Sequence, residues 1–193
     1  MRLANAEVLP FQFGGLAETV SGYLDELKAL LTTRRDEALE RNRQLDEDLF
    51  TATADPREPT RPPARAEVPP YLNFAPLDNA VAGLKQAAER YEATLGKARL
   101  TGRLLAEANQ ALLRIEPALT SPDGLPRRSW YRHQLYAPGF YTGYGVKTIP
   151  AVREAIEQGY WREAEDAIVR VAERLTAAAA LIDRAGAALG TEH

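Results

Sequence analysis

The sequence predicts an all-α protein, a four-helix-bundle-like domain with one long ordered aromatic loop between its third and fourth helices. Three observations carry this. Apolar residues recur at alternating spacings of three and four through most of the chain, the signature of one buried stripe on an α-helix. No stretch alternates apolar and polar residues in the way a half-buried strand does. Proline and glycine cluster in a few places rather than throughout.

The first helix is announced by Gly14-Gly15 and carries Leu16, Val20, Tyr23, Leu27 and Leu30 on one stripe. Leu31, Ala38, Leu45 and Leu49 extend a sparser stripe through a charged second half, so one long helix is expected from about residue 15 to 50. Residues 55–70 then hold Pro56, Pro59, Pro62, Pro63, Pro69 and Pro70. Each proline removes a backbone donor and fixes φ, which excludes helix or central strand and leaves a surface linker, taken as 55–75. The second helix begins near Pro76, with Val81, Leu84, Ala88, Tyr91 and Leu95 in register and Gly96 placed to end or kink it. The third carries Leu104, Ala108, Leu112, Ile115 and Leu119, and Ser121-Pro122-Asp123-Gly124 reads as a turn. After the loop at 121–148, Thr148 is expected to cap a short helix with Pro150 just inside it and Gly159 closing it. The last helix, from about Trp161 to Ala188, keeps the rhythm through Ile168, Val171, Leu175, Ala178, Ile182, Ala185 and Leu189. Its Ala177–Ala180 section is slim enough for another helix to approach closely. The stripes fit an intrachain bundle or coiled-coil seams, and broad alanine-rich faces with short connections favour the bundle.

Composition excludes several functions. A net charge of −3, with basic residues interspersed among acidic ones, gives no electrostatic footprint for nucleic acid. The absence of cysteine removes disulfide and thiol chemistry without fixing a compartment. No apolar run reaches the roughly 18–20 residues that span a bilayer, and no leader-like apolar segment follows Met1. A catalytic zinc takes about three protein ligands. The two histidines, His133 and His193, sit in no such cluster, so neither metal ligands nor catalytic residues are expected in this chain. There is no nucleophile elbow, P-loop or dinucleotide fingerprint.

The loop is the most informative stretch. Residues 125–150 read LPRRSWYRHQLYAPGFYTGYGVKTIP and include Trp130, Tyr131, Tyr136, Phe140, Tyr141 and Tyr144 with Arg127, Arg128, Arg132, His133 and Lys147. A connection of this length is either functional or disordered, and its aromatic content argues against disorder. Most of its rings are expected to plug the core between helices, with their hydroxyls satisfied. A base-stacking platform and a substrate-facing edge are the other readings.

The motif "LPRRSWYRHQLYAP", followed by "GYG" and a proline-led helix, resembles the C-terminal helical domain of the glutamate carboxypeptidase II and transferrin receptor family, the transferrin receptor-like dimerisation domain. "RLANAEVLPFQFGGLAETVSGYLDEL" and "PPYLNFAPLDNAV" match in the same order and frame nearly the whole chain, with 1–14 as a lead-in segment. The resemblance implies one helical dimerisation domain over 1–193, a homodimer, and a parent zinc exopeptidase whose zinc and catalytic residues lie in a peptidase domain outside this chain. It also implies that the aromatic loop faces that domain's substrate pocket, where a Lys-Tyr pair grips a terminal carboxylate. Alignment on "YRHQLYAP" puts Gly143 and Tyr144 at that pair, so the hydroxyl remains and the cation does not. Lys147 is placed to substitute, and Arg132 and His133 complete the set that the resemblance directs to substrate. The missing cation weakens any preference for a glutamate side chain. The alternative is a standalone bundle that binds a partner or small ligand through the same loop. Alanine and arginine richness suggests a GC-rich bacterial source.

Overall fold

The computed structural model describes residues 8–52, 61–95, 103–143 and 145–190. It is mostly helical. Helix α1 spans Gly14–Asp46, and a short α2 follows at Leu49–Ala52. Next come α3 at Ala75–Leu95, α4 at Arg103–Leu112 and α5 at Ile115–Ala118. Strands β1 (Tyr136–Pro138) and β2 (Val146–Thr148) precede α6 at Pro150–Gln158 and α7 at Trp161–Gly190.

Helix α7 is the central element and packs against α3, α4, α5 and α6. Its stripe is fully legible in the sequence: Ile168, Val171, Leu175, Ala178, Ile182, Ala185 and Leu189 are all buried. Opposite it, α3 buries Val81, Leu84, Ala88 and Tyr91. Small residues set the distance between the two. A Cβ added at Gly186 would sit 3.4 Å from Tyr91 Cα, in van der Waals contact, so there is room at this crossing for a methyl group and little more. Helix α1 lies against α3 through Ala17, Val20, Leu24, Leu27 and Leu31, with Leu16, Tyr23 and Leu30 packed at the margin.

The differences from expectation have local causes. The first helix stops at Asp46 because Asp48 takes a left-handed backbone (φ 53), which an α-helix cannot continue. The third breaks after Leu112 and resumes as α5. Gly96, expected to end the second helix, lies outside the described residues.

The proline-rich stretch is held in place where it returns. Asn42, buried on α1, donates from Nδ2 to Ala66 O (2.9 Å) and accepts from Ala66 N–H at Oδ1 (2.8 Å). Arg65 pairs with Asp46 at 2.7 Å. Arg35 donates to Pro69 O, with its guanidinium 3.7 Å over the Tyr71 ring.

Thr148 is not the cap of α6. That position belongs to Ile149, in the left-handed conformation (φ 43) with no side-chain cap bond. A β-branched residue there is strained by about 1–2 kcal/mol, and complete burial of Ile149 is what holds it. The Thr148 hydroxyl instead accepts from Arg153 Nη2 at 2.7 Å. Pro150 does open the helix, and Gly159 (φ 72) closes it.

Candidate functional site: the aromatic hairpin

The loop is not a plug. Trp130, Tyr131, Tyr136, Phe140 and Tyr141 are all exposed, Trp130 to 71%. The core beneath is filled by Leu125, Leu135, Ala137 and Ile149. The rings are displaced outward because the loop is pinned from below by charge. Arg128, 3% exposed, donates from Nη2 to both carboxylate oxygens of Glu154 at 3.0 Å. Glu154 Oε1 also accepts from the Phe140 N–H at 2.7 Å. Arg128 Nε and Nη1 have no hydrogen-bond partner. The guanidinium lies 5.9 Å from the Tyr131 ring centre and 5.8 Å from that of Phe140, which offsets part of its desolvation.

Backbone geometry finishes the frame. Gly124 (φ 68) brings its backbone so close to Ser129 that a Cβ would sit 2.2 Å from the Ser129 carbonyl oxygen. Ser121 N–H donates to Arg132 O, and Gln134 N–H to Leu119 O, which fastens the returning chain to the end of α5. Strands β1 and β2 pair antiparallel, Tyr136 with Thr148 and Pro138 with Val146. Three-residue strands show no usable alternation, so no strand was legible in the sequence.

Around the hairpin the cations are taken up internally. Arg127 is bidentate with Glu163 (2.6 and 3.0 Å), which holds its guanidinium more firmly protonated. Lys147 Nζ lies 2.7 Å from Glu157 Oε1, with only 19% and 18% of the two side chains exposed. Arg153 reaches Glu26 on α1 at 2.5 Å.

His133 is half-buried and stacks on Tyr136 at 4.0 Å. Its Nδ1 accepts from the Leu135 N–H at 3.2 Å, which fixes a neutral tautomer with the proton on Nε2. Nε2 lies 3.1 Å from Glu116 Oε1 without forming an aligned hydrogen bond. Burial lowers its pKa more than Glu116 raises it. Glu116 also accepts from the Tyr136 hydroxyl at 3.0 Å, which raises the pKa of that phenol.

The chain matches the family described as the transferrin receptor-like dimerisation domain over residues 72–183. It belongs to that family. The dimerisation domain is also 27% identical over 183 residues to a probable glutamate carboxypeptidase of Arabidopsis thaliana, covering 91% of this chain and 21% of that protein. A probable glutamate carboxypeptidase of Arthroderma benhamiae is 42% identical over 62 residues, 32% of this chain and 8% of the relative. The chain thus spans about a fifth of the length of the plant relative and less of the fungal one.

Within the dimerisation domain the expected site residues fall in different settings. Gly143 stands at the hairpin tip with a positive φ of 65 and open space around it. Lys147 is in β2 on Glu157, and His133 is beside Glu116. The Arg132 side chain is exposed. Tyr144 lies outside the described residues. Among the described residues no group of three His, Cys, Asp or Glu is placed to hold a metal ion, and no helix is long and apolar enough to cross a membrane. The residues missed from sequence are Arg128 and Glu154. An acid set among Ala151, Val152, Ala155 and Ile156, with Arg153 as the other charge between residues 151 and 156, was the available signal.

Proposed function

We propose that this chain is the non-catalytic helical part of a glutamate carboxypeptidase-like zinc exopeptidase, that it pairs with a second copy of itself, and that its aromatic hairpin faces the substrate pocket of the peptidase domain. The zinc and the catalytic residues belong to that other domain. One observation carries the reading: the hairpin is rigidly anchored by a buried ion pair, yet it turns its rings outward. A loop whose purpose is to fill the core would do the reverse. Five exposed aromatics on one fastened loop form a surface that gains by being covered. The plant and fungal relatives, both much longer, support a peptidase domain as what covers it.

In this reading Tyr144, next in sequence to Gly143, supplies one hydrogen bond to the terminal carboxylate of the substrate. The test uses the full-length protein. Tyr144→Phe should lower kcat/KM by roughly ten- to a hundredfold, since a hydrogen bond to a charged group is worth about 1.5–3 kcal/mol, and should leave the melting temperature unchanged. A lower melting temperature with unchanged turnover per folded molecule would return the loop to a structural role. Strong binding of an unrelated protein to the isolated chain through Trp130 and Tyr141 would favour a standalone binding bundle instead.

A further inference from the structure

We infer that the pocket completed by this hairpin selects a peptide whose terminal side chain is neutral, aromatic or aliphatic, and rejects an acidic one. The inference rests on the reading above, in which the hairpin faces the peptidase pocket. Between Leu125 and Arg153 the cations are Arg127, Arg128, Arg132, Lys147 and Arg153. Four of these are held on carboxylates of the same chain: Glu163, Glu154, Glu157 and Glu26. Lys147 is the one in the hairpin itself. Its partner Glu157 is only 18% exposed, so an acidic substrate that drew Lys147 away would leave a partly desolvated carboxylate without its cation, a loss that offsets the new pair.

What the tip offers instead is apolar. Phe140 and Tyr141 meet edge to face at 4.9 Å and stay exposed, Val146 is 71% exposed, and Gly143 leaves space beside them. A neutral ring or alkyl chain against these groups loses water from both sides, whereas a carboxylate would be desolvated against a hairpin whose one cation among the described residues, Lys147, is already paired. Arg132 is the remaining cation. It belongs to the segment fastened to Ser121, outside the two strands.

The experiment compares kcat/KM of the full-length protein on peptides that differ only in a terminal Glu, Leu or Phe. Leu and Phe are expected to exceed Glu by about tenfold or more, the scale of one unmade hydrogen bond to a charged group. Val146→Lys, which adds an unpaired cation at an exposed strand position, should narrow or reverse that ratio. Glu157→Gln, which frees Lys147, should do the same. A wild-type preference for Glu overturns the inference, and loss of that preference in Arg132→Gln would identify the cation responsible. In that case a response to Val146→Lys still supports the hairpin as pocket wall. If both Val146→Lys and Glu157→Gln fold as the parent by circular dichroism and leave the ratio untouched, the hairpin does not face the pocket, and the underlying reading falls together with the inference.

Discussion

Arg128 and Glu154 form a charge pair with 3% and 4% of their side chains exposed, and the same carboxylate holds the main-chain N–H of Phe140. One acid therefore fastens both ends of the aromatic loop to α6. Removing one partner of a buried pair leaves an uncompensated charge and typically costs about 3–5 kcal/mol. Arg128→Met and Glu154→Leu should each destabilise by that much, and the double variant by clearly less than the sum. Urea unfolding of the four proteins measures this as a double-mutant cycle. Additive losses would mean the pair is not the anchor.

Gly186 should respond with opposite signs to a small and a large side chain. A Cβ at 3.4 Å from Tyr91 Cα is ordinary contact, so Gly186→Ala should keep the α3–α7 packing and gain about 0.5–1 kcal/mol from lost chain entropy in the unfolded state. Gly186→Leu must push the helices apart and should cost about 1–3 kcal/mol. Thermal melts of both settle the sign.

His133 makes stability depend on pH. Burial lowers its folded pKa below the unfolded value of about 6.5. A depressed pKa means the unfolded chain takes up the proton first, so this contribution is complete above about pH 6.5 and is lost as pH falls through the folded pKa. Denaturation midpoints from pH 8 to 5 should fall on the acid side, and His133→Gln should flatten that part of the slope. A slope unchanged by the substitution would assign it to other groups.

Self-association should be detectable in this chain alone. Closed twofold pairing is the commonest arrangement of identical chains, and a stable interface should bury more than about 1,000 Å². Light scattering over a dilution series should show the dimer mass at high micromolar concentration. A monomer throughout would restrict pairing to the full-length protein.

The helices were legible wherever a long stripe is buried along its whole length. Helix α7 buries every residue of its stripe, since 30 residues give the period time to show. The hairpin was not legible, because three residues per strand carry no period and its register depends on Ile149 N–H reaching Leu135 O. Nor was the anchor. Arg127 and Arg128 are adjacent arginines after a turn and look alike in sequence, yet one sits at the surface with Glu163 and the other is sealed beneath two rings. What separates them is the positive φ of Arg127, which turns successive side chains to different sides. The outward rings followed from the same fact: a charge occupies the place beneath the loop that a ring would have filled.

The clasp between α1 and the returning chain has a different kind of consequence. Asn42 grips both main-chain groups of Ala66, and Asp46 holds Arg65, so the excursion between Asp46 and Arg65 is tied off at its base. Once the two ends are joined, the length of what lies between them matters little. Doubling a tethered loop adds only about 0.6 kcal/mol of closure entropy. Sequence added between Ala52 and Arg61 would therefore add little closure cost while the grip of Asn42 on Ala66 stays closed, which makes this the point for a tag or a reporter.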